Sequence, residues 1–351
     1  KLNTFNLPDS SIVDGSENMN TVLYTGNGTS QSITGVGFEP NLVWLKFRSA
    51  TGNNELYDTI RGAGNLLVSN STNAESTNLT KLSSLDSDGF SVGSALSTNT
   101  NGGTYVAWNW KAGGTAVSNT AGTITSQVSA NPTAGFSIVT YTGTGANATV
   151  GHGLGVAPGM VIVKKRTGTI GTGFSNWMVW HNSIGAAQVL YLDTTSAVST
   201  NASTFNSTAP TSSVFSLGTN TVSNENTATY VAYCFAEVEG YSKFGSYTGN
   251  GSADGTFVYT GFRPEFVMSK RTNSTGSWDI WDAARSTSNV TDDVLIANGN
   301  NAEFSNLSTG GMDFTANGFK IRNTNVDMNA SGSTYIYMAF AENPMKHSLA
   351  R

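Results

Sequence analysis

The sequence is short of the residues that build most metal, redox and hydrolytic sites. It contains one cysteine and three histidines. The single Cys234 excludes an intrachain disulfide framework and a four-cysteine zinc site. His152, His181 and His347 lie in separate segments without the spacing of a zinc or protease motif, and the glycines that flank His152 predict an exposed loop residue. We therefore expect no catalytic residues, no metal and no cofactor, and a protein that is not an enzyme.

Charged residues and long apolar runs are also scarce. Asp, Glu, Lys and Arg make up 12% of the chain, about half the usual share, and the net charge is −5. Without a basic stripe, nucleic acid is not an expected partner, and without an apolar run of spanning length, membrane insertion is not expected. Proline is sparse at 7 residues, whereas glycine is abundant at 39 and hydrophobic residues reach 38%. This mixture favours short strands joined by turns, in a folded chain.

Five short sequence anchors recur three times in the same order. They are a Tyr-Thr-Gly-x-Gly string, a segment ending in Pro, an aromatic segment, a turn with a following strand, and an apolar strand that begins with Tyr. Their positions are 24–28, 141–145 and 247–251; 38–40, 156–158 and 262–264; 56–58, 179–181 and 280–282; 88–92, 213–217 and 317–321; and 105–108, 230–233 and 335–338. We call the three repeats copy 1, copy 2 and copy 3.

A repeat of about 100 residues is a whole domain with its own core, not a solenoid unit. The sequence therefore predicts domains strung like beads along the chain. Residues 114–134 are rich in Gly, Thr, Ser and Ala and predict an extended linker. We expect copies 2 and 3 to be held rigidly and copy 1 less so. The predicted divisions are a lead-in at 1–20, copy 1 at 21–113, the linker at 114–134, copy 2 at 135–239, and copy 3 with a C-terminal tail at 240–351.

The last anchor of each copy predicts a strand at the centre of a sheet. Side chains alternate between the two faces of a strand, so Val106, Trp108 and Trp110 share one face of it in copy 1. The opposite face becomes small towards its end, and Cys234 falls on that face as a predicted buried filler. Such a strand suits a sheet that is covered on both sides. With several short strands and turns per copy, the prediction is an all-β protein of three tandem β-sandwich, jelly-roll-like domains.

Several longer strings carry a resemblance to a known family. They are Tyr-Thr-Gly-x-Gly at 24–28, Gly-Phe-x-Pro at 37–40, Asp-x-Asp-Gly-Phe-Ser-Val at 86–92, and the Tyr-initiated strings at 105–114, 230–240 and 335–344. Together they resemble a domain of unknown function that is repeated in virion structural and tail-fibre proteins of marine tailed bacteriophages. The resemblance covers residues 21–351. It implies a structural or fibre role at the virion surface, and it implies no catalytic residues.

The best binding candidates in the sequence are aromatic. Trp177 and Trp180 align with Trp278 and Trp281, and Tyr57 is the counterpart of Trp180 in copy 1. A spacing of three along a strand puts the two tryptophans of a pair on opposite faces, so we expect one in the core and the other at the surface. An exposed ring beside Asn and Asp would form a sugar platform. The alternative is that these aromatics lie in a sandwich core or at a junction between domains.

The charged residues near this segment favour structure over catalysis. Arg61 and Arg285 follow it in copies 1 and 3 and are predicted to form salt bridges or interfaces. Asp279 and Asp282 are predicted to be solvated. Glycoside hydrolysis would need two carboxylates in a cleft, one of them with a raised pKa, and no such arrangement is visible in the sequence.

Three functions follow from these features. The first is a phage virion structural protein, a tandem-domain fibre or appendage component that contacts other virion proteins and takes part in host attachment. Because fibres are commonly homotrimers, we expect a homo-oligomer, with a trimer favoured. The second is an adhesin that binds a host surface glycan or receptor through an aromatic site. The third is a polysaccharide depolymerase, which would need the paired carboxylates described above.

Overall fold

The structure, a computed structural model, describes residues 12–167, 175–305 and 311–341. It is built of antiparallel sheets, which confirms the predicted all-β fold class. Within the described ranges, no helix is long and apolar enough to cross a membrane. The strands of copy 1 are β1 (Met19–Thr25), β2 (Gln31–Thr34), β3 (Leu42–Phe47), β4 (Asn54–Asp58), β5 (Asn65–Val68), β6 (Ser76–Thr77), β7 (Leu82–Asp86), β8 (Gly89–Val92) and β9 (Thr104–Trp110).

The other two copies repeat this pattern. Copy 2 and the segment before it contain β10 (Val117–Asn119), β11 (Ser126–Asn131), β12 (Phe136–Thr142), β13 (Ala148–Gly151), β14 (Met160–Thr167), β15 (Met178–His181), β16 (Gln188–Tyr191), β17 (Ser199–Thr200), β18 (Val214–Leu217) and β19 (Thr229–Phe235). Copy 3 contains β20 (Ser242–Thr248), β21 (Phe257–Tyr259), β22 (Pro264–Arg271), β23 (Trp278–Asp282), β24 (Asp293–Ile296), β25 (Phe304–Ser305), β26 (Met312–Thr315), β27 (Gly318–Ile321) and β28 (Thr334–Ala341). The helices are single turns: a 3-10 turn (Gly15–Glu17), α1 (Leu96–Asn99), α2 (Thr221–Asn224) and α3 (Val326–Asn329).

Each copy is a sandwich of one large and one small sheet. The large sheets have equivalent strand orders, β1-β9-β3-β4-β5-β6, β12-β19-β14-β15-β16-β17 and β20-β28-β22-β23-β24-β25. The small sheets are β2-β8-β7, β13-β18 and β21-β27-β26. The last strand of each copy therefore lies inside its large sheet, between two partners. This is the central position that its alternating side chains predicted.

The large sheets are covered on both faces. In copy 1, Tyr105 and Ala107 face the small sheet and pack in the core of the sandwich. Val106, Trp108 and Trp110 point the other way and are equally buried. Because these bulky side chains do not contact their own small sheet, something else must cover them.

What covers them is the other two copies. Trp110, Phe235 and Phe340 hold equivalent positions in the three central strands and meet one another, with ring centroids 5.9 to 6.2 Å apart. The bulky faces of all three large sheets thus form one shared core around an approximate threefold axis. This differs from the expected beads on a string, in which copy 1 was the loosest. The physical reason is that three apolar sheet faces can leave water only by packing on one another.

The segment at 114–134 also differs from the expected extended linker. It supplies β10 and β11, which pair with each other and then with β12, so that the large sheet of copy 2 gains two strands. Its small and polar side chains suit an edge of a sheet as well as a linker. Composition alone does not distinguish these two structures.

The repeated Tyr-Thr-Gly-x-Gly string is explained by a buried latch. In copy 1, the side chain of Asn99 at the end of α1 accepts a hydrogen bond from the backbone N–H of Asn27 at 2.8 Å and donates to the carbonyl of Gly93 at 2.8 Å. Gly26 is required because a Cβ there would lie 2.3 Å from a carbonyl oxygen, and Gly28 has a φ of +75°. Asn224 and Asn329 make the same contacts in copies 2 and 3.

Candidate functional site

Two of the predicted binding residues connect neighbouring copies. Trp177 of copy 2 donates its indole N–H to the carbonyl of Val68 in copy 1 at 2.9 Å. Trp278 of copy 3 donates in the same way to the carbonyl of Tyr191 in copy 2, also at 2.9 Å. Both indoles are buried in the shared core. They lie at the junctions that the alternative interpretation named.

The other three predicted residues are buried as well. Tyr57 lies in the sandwich core of copy 1 and Trp180 in that of copy 2, and Trp281 is fully buried in copy 3. The expectation that one tryptophan of each pair would reach the surface is therefore wrong. Opposite faces of the strand are indeed used, but in this fold both faces of a large sheet are covered. None of the five rings presents a face to a ligand.

The contacts between copies form a closed circle. Backbone N–H groups donate across every junction, from Glu75 to the carbonyl of Arg166 (3.0 Å), from Val198 to that of Thr272 (2.8 Å) and from Glu303 to that of Arg48 (2.8 Å). These bonds run from copy 1 to copy 2, from copy 2 to copy 3 and from copy 3 back to copy 1. We call the three interfaces junction 1–2, junction 2–3 and junction 3–1.

Two of the junctions hold partly buried ion clusters. At junction 1–2, Glu75 pairs with Arg61 at 3.0 Å and with Arg166 at 2.8 Å. At junction 3–1, Glu303 contacts Arg285 at 2.9 Å and Arg48 at 2.6 Å. The prediction that Arg61 and Arg285 form salt bridges or interfaces is confirmed. Because each arginine also pairs with an aspartate of its own copy, Asp58 or Asp282, the clusters are well compensated.

Asp58 and Asp282 also make hydrogen bonds between copies. Asp58 accepts a hydrogen bond from the Tyr233 hydroxyl of copy 2 at 2.8 Å, and Asp282 accepts one from the Trp108 indole of copy 1 at 2.9 Å. Asp282 is fully buried and Asp279 is 5% exposed, so the expectation that both are solvated is wrong. Burial, together with the nearby charge of Asp327, raises the pKa of Asp279 to about 8.

Junction 2–3 is built without these charges. Ile184 and Val198 stand where the other junctions have arginine and glutamate, and both pack against the shared core. His181 replaces the aspartate. Its Nδ1 accepts the N–H of Ser183 at 3.1 Å, so its Nε2 carries the proton and donates to the carbonyl of Tyr337 in copy 3 at 3.1 Å. Burial lowers the pKa of His181 to about 4, so this junction contains a neutral imidazole at ordinary pH.

Each copy also has one lysine that is fully buried beside a junction, namely Lys46, Lys164 and Lys270. Lys164 donates to the carbonyl of Thr72 in copy 1 at 2.9 Å, Lys270 donates to that of Thr195 in copy 2 at 3.3 Å, and Lys46 donates within its own copy. Burial lowers the pKa of each to about 8. A nucleophilic lysine also has a lowered pKa, but these amines are closed to solvent and bound by carbonyl oxygens. Their arrangement supports a structural role.

Two further groups that could be reactive, the thiol of Cys234 and the imidazole of His152, are also buried. Cys234 is fully buried, as predicted, and burial raises the pKa of its thiol to about 12. His152 is buried too, against expectation, because its Nδ1 accepts the N–H of Leu154 and its Nε2 bonds the carbonyl of Thr211. Among the described residues, no group of three or more His, Cys, Asp or Glu side chains is placed to hold a metal ion.

One groove lies between copy 1 and the segment that carries β10 and β11. It has a volume of about 800 Å³, is polar, and has a single carboxylate, Glu39, in its lining. A smaller groove beside it shares Glu39 and adds Lys111. Glycoside hydrolysis needs two carboxylates about 5 to 10 Å apart across a substrate. Neither of these two grooves shows such a pair of carboxylates in its lining.

The sequence analysis did not identify Phe257 and Tyr259 as exposed aromatic residues. Phe257 is 45% exposed and Tyr259 is 65% exposed, both on β21 at the edge of the small sheet of copy 3. Val258 between them is buried, so the two rings share the outer face. The sequence does contain a signal for this exposed pair, because copy 1 has the small polar residues Ser32 and Thr34 at the same positions.

Comparison with known proteins adds one match. A family model described as a domain of unknown function (DUF7483) matches residues 14–344. No curated protein and no solved structure is significantly similar to the chain. This match extends over all three copies.

Proposed function

The chain belongs to the family described as a domain of unknown function (DUF7483), and from the geometry of this member we propose that it is a structural protein of a bacteriophage virion. In this proposal it is a fibre or appendage component at the virion surface. It contacts other virion proteins and contributes to host attachment.

The observation that carries the proposal is the closed circle of three junctions around one shared core. Closed symmetric arrangements are typical of structural assemblies, and a threefold axis is the symmetry that trimeric fibres present to their partners. Three copies in one chain supply that symmetry without separate subunits. We therefore propose that the trimer expected from the sequence is replaced by the three copies of one chain.

The burial of the potentially reactive side chains also favours a structural function. The buried lysines, His181 and Cys234 are all used in packing or in hydrogen bonds between or within copies. Because many buried contacts hold each junction, we expect the junctions to open cooperatively.

Electron microscopy of particles of a phage that encodes the chain tests the proposal. Gold-labelled antibody against the purified chain should decorate one regular position on the particle surface. Light scattering of the purified chain should give the mass of one chain. Unlabelled particles would overturn the virion assignment, and a stable complex of three chains would overturn the replacement of a trimer by one chain.

A further inference from the structure

The outer face of the small sheet in copy 3 differs from its counterparts in a way that the fold does not require. Phe257 on β21 lies opposite Lys320 on β27, which lies opposite Asp313 on β26. The equivalent row in copy 1 is Ser32, Ser91 and Ser84. The copy 2 row begins with Thr149 and Ser216. Two copies thus fold with small hydroxyl side chains on this face.

Tyr259 also stands where the other two copies have small residues. Tyr259 pairs with Gly318, and the equivalent residues are Thr34 in copy 1 and Gly151 in copy 2. Because Gly318 has no side chain, nothing on β27 covers the Tyr259 ring from the neighbouring strand position. Phe257 and Tyr259 are two residues apart on one strand, so their Cβ atoms lie roughly 7 Å apart along the sheet. Together they form an exposed apolar strip that contributes nothing to a core.

Charged groups surround this strip and neutralise one another. Lys320 contacts Asp254 at 2.5 Å, and Arg322 contacts Asp313 at 3.3 Å and Asp254 at 3.8 Å. We call Phe257, Tyr259, Lys320, Arg322, Asp254 and Asp313 the aromatic face. Its two cations and two carboxylates sum to zero charge.

We propose that the aromatic face binds a neutral saccharide. Ring faces carry negative potential and pack well on the C–H faces of a sugar. The ion pairs offer N–H donors beside carboxylate acceptors, which suits hydroxyl groups because a hydroxyl both donates and accepts. An acidic sugar would find both cations already paired, so the neutral class is favoured. The site goes beyond the proposed virion role, and the purified chain suffices to test it.

The repeat supplies the test variant. In Phe257→Ser/Tyr259→Thr, copy 3 receives the residues that copy 1 already carries at these positions, so the fold should be kept. Val156, which is 50% exposed in a loop of copy 2, supplies the control Val156→Ser, which removes apolar surface elsewhere. Circular dichroism and thermal melting establish that each variant is folded. An array of neutral and acidic oligosaccharides identifies the best ligand, and calorimetric titration measures its affinity.

The proposal expects the parent chain to bind neutral oligosaccharides and the double variant to bind them about tenfold more weakly or worse. The Val156→Ser control should bind like the parent, and Lys320→Ser should weaken binding several-fold. Silence across the neutral glycans would overturn the proposal, as would full affinity in the double variant. Preference for acidic sugars, or binding of peptides or lipid vesicles at the same rings instead, would also overturn it. None of these outcomes bears on whether the chain is found in a virion.

Discussion

Acid should weaken junction 2–3 through His181, which is buried in its neutral form. The neutral imidazole is fixed at junction 2–3 because Nδ1 accepts an N–H from Ser183 and Nε2 donates to the carbonyl of Tyr337. A proton on Nδ1 would point at the N–H of Ser183 and break the first of these contacts. Protonation is therefore opposed by burial and by a specific hydrogen bond.

The magnitude follows from the pKa. The folded pKa of His181 is about 4, against an unfolded value of 6.5. The unfolded chain therefore binds more protons than the folded chain between these two values, so the free energy of unfolding falls as the pH drops from about 6.5 to about 4. At 1.36 kcal/mol for each pH unit, the full loss is roughly 3 kcal/mol. Below about pH 4 this contribution levels off, because both states are protonated.

Urea unfolding of the parent and of His181→Gln, followed by tryptophan fluorescence at about pH 7 and about pH 4.5, isolates the effect from other titrating groups. The parent should lose roughly 2 to 3 kcal/mol more than the variant between the two conditions. His152→Gln is the matched control, because His152 has the same hydrogen-bond pattern but stays within copy 2.

Hydrogen exchange then locates the change. In the parent at low pH, the junction amides of Val198 and Gly276 should lose protection, since both donate across junction 2–3. His152→Gln should leave that loss in place. Equal acid sensitivity in the parent and in His181→Gln would refute the reasoning.

Four further predictions follow from buried groups. Asn329→Ala should lower the free energy of unfolding by about 2 to 4 kcal/mol in urea titration, since it leaves several buried partners of the latch unpaired. Asp279→Asn should become more stable relative to the parent as the pH rises from about 4 to about 8, by roughly 5 kcal/mol, because only the parent must hold a carboxyl with a raised pKa. The parent should gain stability between about pH 8 and about pH 10 as Lys270 loses its proton, and Lys270→Met should show less of this gain in melting curves. Cys234 should react with a thiol reagent only on the timescale of unfolding.

The sequence predicts the parts of this fold that depend on local pattern. Alternation along the last anchor placed Trp108 and Ala107 on opposite faces, and repetition revealed three equivalent units. The partner of each face is a long-range property, however. Trp108 donates to Asp282, which lies 174 residues further along the chain. No spacing in the sequence identifies such a contact, so the shared core was missed and separate domains were expected.

The binding candidates failed for a related reason. Large aromatics with neighbouring Asn and Asp suggested a sugar platform, but Trp177 and Trp278 have those neighbours because they lie at buried junctions. The small aromatic pair at Phe257 and Tyr259 was less conspicuous. Its signal is a departure from the repeat, since an aromatic replaces a small polar residue only in copy 3. Differences between aligned copies were therefore more informative about a surface site than the features they share.

A single chain gives this architecture a freedom that three identical subunits lack. In a homotrimer every junction must use the same residues, whereas here junction 2–3 has Ile184, Val198 and a neutral His181 where the other two junctions have an ion cluster. Removing one charge from an ion cluster would leave its buried partner without compensation. Covalent connection also keeps the three copies at high effective concentration, so that one junction can be weaker without dissociation.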